Sequence, residues 1–127
     1  MRAPLSPNKH VHAEQYVANF FRSNGWSVEM QQEDSLSADL LIRHGKHRFI
    51  VEIKALSEGR PDRVLPVLSM AILQAKAAAE LSGNALPLAI IFVPEASLSL
   101  AKHVEVFAQK FAKDVSVGII SGRGEQY

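Results

Sequence analysis

Leu86 to Val93 is an unbroken apolar run, the pattern of a β-strand covered on both faces. Helical patterns flank it on each side. One runs from about Pro66 to Leu81. Pro66 is tolerated in its first turn, Ala75 to Ala79 are small enough for close packing on a sheet, and Ser82-Gly83 ends it. The other is capped by Ser97 and carries Leu100, Ala101, Val104, Phe107, Ala108 and Phe111 as one apolar stripe. Val115 to Ile120 reads as a last short strand and residues 121–127 as a frayed tail.

Upstream, residues 1–9 are polar and contain proline, which predicts a loose arm. Ala13, Tyr16, Val17 and Phe20 then recur at helical spacing, and Asn24-Gly25 is a stop signal. Trp26 to Met30 alternates as a half-buried strand does, and Gln31 to Ser37 is a polar connection. Ala38 to Arg43 is the next strand, His44-Gly45-Lys46-His47 a hairpin turn, and Arg48 to Ala55 a cleanly alternating strand. Ser57 to Arg63, with Gly59 and Pro61, reads as a loop. The order αβββαβαβ predicts an antiparallel meander leading into crossover helices. That is an α/β domain of three layers, a mixed β-sheet flanked by helices. At 127 residues and 14.0 kDa, residues 1–127 suit a single domain.

Several function classes are excluded or unsupported. There is no cysteine, so disulfide scaffolds, cysteine metal sites and cysteine nucleophiles are out. No Walker A loop, GxGxxG, nucleophile elbow or HExxH occurs. The first residues hold no apolar signal core and no uninterrupted apolar run nears the ~18 residues of a membrane span, so the expected location is cytoplasmic, with no membrane partner. Fourteen Lys and Arg against thirteen Asp and Glu leave a net charge of +1. That balance argues against an overall basic coat for nucleic acid but allows a local basic patch.

The unusual feature is where charges fall within apolar strands. Asp39 opens Ala38-Asp39-Leu40-Leu41-Ile42, and Glu52 and Lys54 interrupt Phe49-Ile50-Val51-Glu52-Ile53-Lys54-Ala55. A period of two puts Glu52 and Lys54 on one face. A charge there is costly unless it is paired or bound to metal. Pairing about the centre of Gly45-Lys46 sets residue i opposite residue 91 − i, so Asp39 faces Glu52. Two carboxylates suit Mg²⁺, a hard cation that keeps several waters. Lys54 can orient or activate a water, or offset charge developing on a phosphate.

Asp39 followed by Glu52-Ile53-Lys54 on an apolar strand resembles the PD-(D/E)xK nuclease superfamily, and the element order from about His12 to Ile120 is similar to the core of those restriction-endonuclease-like enzymes. The run His12 to Phe21, ending in Asn24-Gly25-Trp26, is most similar to the first helix of archaeal Holliday-junction resolvases, which carries a glutamate matched by Glu14. Gln74 falls where exonuclease-like members carry a glutamine; the tyrosine they add four residues on is Ala78 here. The resemblance implies a Mg²⁺-dependent DNA endonuclease, with Mn²⁺ able to substitute, of junction-resolving or restriction and repair type. It implies metal binding by Asp39, Glu52 and the Ile53 carbonyl, and catalytic roles for Asp39, Glu52, Lys54, Glu14 and Gln74. Arg43, Lys46 and Arg48 around the turn, and Arg60 and Arg63 after the strand, are candidates for phosphate contacts. Cutting two strands symmetrically calls for a homodimer. The rival expectation is a non-catalytic nuclease-like module that binds nucleic acid or protein within a larger complex.

Overall fold

A computed structural model describes residues 6–30 and 39–122, and within them the expected element order holds. The elements are α1 (Ser6–Ser23), β1 (Ser27–Met30), β2 (Leu40–His44), β3 (His47–Ala55), α2 (Pro61–Ser82), β4 (Leu86–Val93), α3 (Leu98–Phe111) and β5 (Ser116–Ser121). The five strands lie side by side in chain order. β1, β2 and β3 pair antiparallel, whereas β3, β4 and β5 pair parallel. The chain is therefore α/β, with a mixed sheet flanked by three helices.

From Ala89 to Val93 β4 is buried on both faces, as its apolar run requires, whereas Leu86, where the run begins, is exposed. Ile90 and Phe92 join Leu40, Ile42, Val51 and Ile53 beneath Ala13, Val17, Ala18 and Phe21 of α1. Ala89, Ile91 and Val93 face the other way, under Val64, Leu68, Ala71 and Ile72 of α2 and Leu100 and Val104 of α3. This makes three layers, with α1 alone on one side. By length and composition α2 is apolar enough to cross a membrane. Its buried residues are accounted for here by packing on the sheet.

Several boundaries differ from expectation. α1 begins at Ser6, so residues 6–9 are helical rather than part of a loose arm. Residues 1–5, the connection 31–37 with Ala38, and residues 123–127 lie outside the described residues. α2 starts at Pro61 rather than Pro66 and absorbs Arg63 from the expected loop. Pro61 fits the first helical position, where its missing N–H has no partner to lose, and Asp62 suits the positive helix end. Ser121, expected in the tail, closes β5 and is buried. Phe111, expected on the apolar stripe, is 71% exposed. It is the last residue of α3, where the chain is already turning toward β5. The caps match expectation: Ser97 accepts a hydrogen bond from the Leu100 N–H at 3.0 Å, and Gly83 ends α2 at φ 83°.

The loop leaving β3 is held against the loop leaving β4. The Leu56 N–H donates to the Phe92 carbonyl at 2.9 Å. A Cβ on Gly59 would stand 2.7 Å from the Glu95 carbonyl oxygen, so only glycine fits that approach. Gly59→Ala is expected to cost about 1–3 kcal/mol of stability through this overpacking. Urea denaturation would measure it, and an unchanged midpoint would show that the two loops do not pack this way.

Candidate active site

Asp39 lies in the bend immediately before β2. The hairpin pairs Leu40 with Val51 and continues to His44 with His47. That is the 91 − i register, and one further step puts Asp39 level with Glu52. Gly45 sets it, with φ +61° at the first central position of a two-residue turn.

Beyond the last ladder pair, β2 has no backbone left to meet β3. The Asp39 carboxylate takes over, and its Oδ2 accepts a hydrogen bond from the Ile53 N–H at 2.8 Å. A residue in a strand directs its N–H and C=O to the same neighbour. The Ile53 carbonyl therefore leaves β3 on the edge where Asp39 sits.

The faces divide cleanly. Ile50 packs against Ala78 of α2 with Leu41 beside it, whereas Val51 and Ile53 pack beneath α1. Alternation then puts Asp39, Glu52 and Lys54 on the α2 side. Glu52 and Lys54 have as parallel neighbours Ala89 and Ile91, which are buried under α2. The pair thus stands where the cover of α2 gives out. The Lys54 Nζ lies 3.9 Å from the Glu52 Oε1, and the side chains are 24% and 13% exposed. This is partial burial: water and a substrate retain access, while charge is screened less than on an open surface. At that separation the pair is loose, which leaves the ammonium able to serve another partner.

Gln74 comes to the same height. α2 runs antiparallel to β3, and Ala78 marks the level of Ile50. Four helical residues advance about 6 Å and two strand residues about 6.6 Å, so Gln74 stands level with Glu52. Its side chain is exposed.

Glu14 is half-buried on α1, the helix that packs on the sheet face opposite α2. Arg43, Lys46 and Arg48 lie at the turn end of the hairpin. Arg48 is four residues from Glu52, about 13 Å along the strand. The Arg60 Nη2 holds the Asp62 Oδ2 at 3.0 Å. Arg63, exposed in the first turn of α2, lines an open depression of about 380 Å³ with Ala55, Leu56, Ser57, Glu58 and Val67, just past Lys54. Two depressions of about 410 Å³ flank α3 instead.

Among the described residues, no three Asp, Glu, His or Cys side chains gather into a cluster. A cation at this site would draw on Asp39, Glu52 and backbone oxygen. That all-oxygen set fits a hard divalent ion holding several waters of its own. The Asp39 to Ile53 hydrogen bond was not foreseen from the sequence, although the register that brings the two together was. Compared with family models, curated proteins and solved structures, the chain gives no match to any of them.

The hydrogen bond gives Asp39 a structural role that metal-free measurements can read. Asp39→Ala is expected to cost about 1–3 kcal/mol, because it orphans a half-buried donor. Asp39→Asn keeps an acceptor and relieves repulsion with Glu52, so it should lose less. Equal losses in chemical denaturation with EDTA present would contradict the assignment.

Proposed function

We propose that this chain is a Mg²⁺-dependent endonuclease hydrolysing DNA phosphodiester bonds, of the PD-(D/E)xK type and selective for junction or branched DNA. The observation that carries the reading is the Asp39 to Ile53 hydrogen bond. It fastens one carboxylate beside a second, on the edge that bears a backbone carbonyl, with a lysine two residues on. On this reading the three-layer sheet is the core of a restriction-endonuclease-like fold.

Asp39, Glu52 and the Ile53 carbonyl would hold the metal. When bound, Mg²⁺ lowers the pKa of a coordinated water and offsets charge on the phosphate. Lys54 orients the attacking water and stabilises the negative charge gathering on the phosphoryl oxygens. Water oxygen bonds to phosphorus, the ester P–O bond breaks, and the proton released by the water ends on the leaving oxygen or in solvent. The Gln74 amide, level with Glu52, supplies a neutral donor to substrate. Arg63, beside the end of β3, meets phosphate next to the scissile bond.

A second reading is a nuclease-like module that binds without cutting. The net charge of +1 favours it, since duplex binding usually uses more positive surface. Cleavage separates the two. The purified protein is expected to cut duplex, flapped or four-way-junction DNA with Mg²⁺ or Mn²⁺ and not with EDTA. Lys54→Ala should slow cutting by about 10²-fold or more. Calorimetric titration should show Mn²⁺ binding that Asp39→Ala abolishes. No cutting of any of these DNAs, together with no metal binding, would move the assignment to the module.

One site cuts one strand, so we propose that two copies act together. Light scattering is expected to give twice the 14.0 kDa chain mass. A monomer that still cuts both strands of a junction would count against paired action.

A further inference from the structure

Arg43 and Arg48 are direct cross-strand partners in the hairpin. They share the α2 side of the sheet with Leu41, Ile50 and Glu52, by the same alternation that places Glu52 there. Like charges directly opposite one another destabilise a sheet. The Arg48 Nε is buried and has no hydrogen-bond partner among the described residues. The ion pairs described engage Lys54, Arg60 and Lys76, and none takes up either of these guanidinium groups. Glu29 is a carboxylate on the same face, opposite Leu41 and diagonal to Arg43.

The surroundings are open. Ser27, Glu29 and Arg43 are exposed and Leu41 is half-buried. Among the described residues, α2 covers Ile50 through Ala78 and leaves Leu41 half-buried beside it. Asp39, Glu52 and Lys54 stand at one end of this face and the arginine pair at the other.

We propose that Arg43 and Arg48 form a second phosphate subsite, gripping the DNA strand whose scissile phosphate lies at Glu52. Guanidinium groups bind phosphate oxygens in two-point fashion, and an anion between the two would relieve their repulsion while engaging a donor now unpartnered. The span of about 13 Å from Glu52 to Arg48 sets the separation between the scissile phosphate and the phosphate held at the arginines. This subsite rests on the nuclease reading and sets the footprint of DNA upon it. A competing explanation lies on the same face. The last turn of α2 ends one turn past Ala78, level with Arg48, where carbonyl groups attract a cation. In that case Arg48 would serve the helix and not DNA.

Salt dependence separates these explanations. Fluorescence anisotropy would follow a labelled 20-base-pair duplex in EDTA, where no cutting occurs, across a sodium chloride series. The unaltered protein is expected to bind. The double variant Arg43→Gln/Arg48→Gln should bind at least about tenfold more weakly at 0.1 M salt. Its slope of log K against log salt should be smaller by about 1.8, which is two phosphate contacts at about 0.9 each. Arg43→Gln alone, at an exposed position, should lose about half of that and guards against misfolding of the double variant. An unchanged slope overturns the subsite, and a lower melting temperature with that unchanged slope assigns Arg48 to the end of α2. Absence of duplex binding by the unaltered protein overturns it too. Failure of the nuclease reading would look different: full binding with the expected slopes, but no cutting when Mg²⁺ is added.

Discussion

The two-residue turn at Gly45-Lys46 decides which side chains of β2 and β3 stand opposite one another, and the rest of the site follows from that register. A slip of one residue would send every side chain of β2 to the other face. Asp39 would then leave the side of Glu52, and Leu40 and Ile42 would leave the core beneath α1. The core thus enforces the geometry of the polar end. Four apolar residues, Leu40, Ile42, Val51 and Ile53, hold the register by burial, and the carboxylates are aligned as a consequence.

The unequal covering of the sheet explains where charge is tolerated. α1 covers one face of β2 and β3, and α2 and α3 cover the other face of β4 and β5. Between them, on the α2 side of β2 and β3, the sheet passes from sealed to open. Glu52 and Lys54 occupy that margin. One strand over, in the places of Ala89 and Ile91 under α2, they would be charges in a dry core. Farther out, on β1, they would be fully solvated and of little electrostatic effect. Partial burial keeps them accessible.

Much of this was legible in the sequence, for identifiable reasons. The β4 run has no amphipathic reading, so its place in the sheet follows from its composition. The hairpin register follows from counting about Gly45, and it carried the Asp39 to Glu52 approach; the structure adds the Arg43 to Arg48 opposition. The start of α2 was not legible. Pro66 reads as a first-turn proline, whereas Pro61 already holds that place and Pro66 lies inside the helix. The exposure of Phe111 was hidden because periodicity reports a face and not where a neighbouring element ends. The Asp39 to Ile53 bond was missed because strand patterns do not say where a ladder stops and a side chain takes over.

The hairpin has a further consequence for how the molecule comes together. β3 and β4 meet only after the chain has travelled from Ala55 through the whole of α2 to Leu86, and β4 and β5 only after α3. β2 and β3 close over two residues, the smallest loss of chain entropy of any strand pairing here. Asp39, Glu52, Lys54, Arg43 and Arg48 all belong to that one local closure. These five side chains of the proposed site therefore belong to a single contiguous stretch, residues 39–54, to which the slower, long-range part of the fold adds Arg63 and Gln74 from α2. Helices and distant strands can drift in sequence, so long as they keep their cover, without disturbing the arrangement of those five.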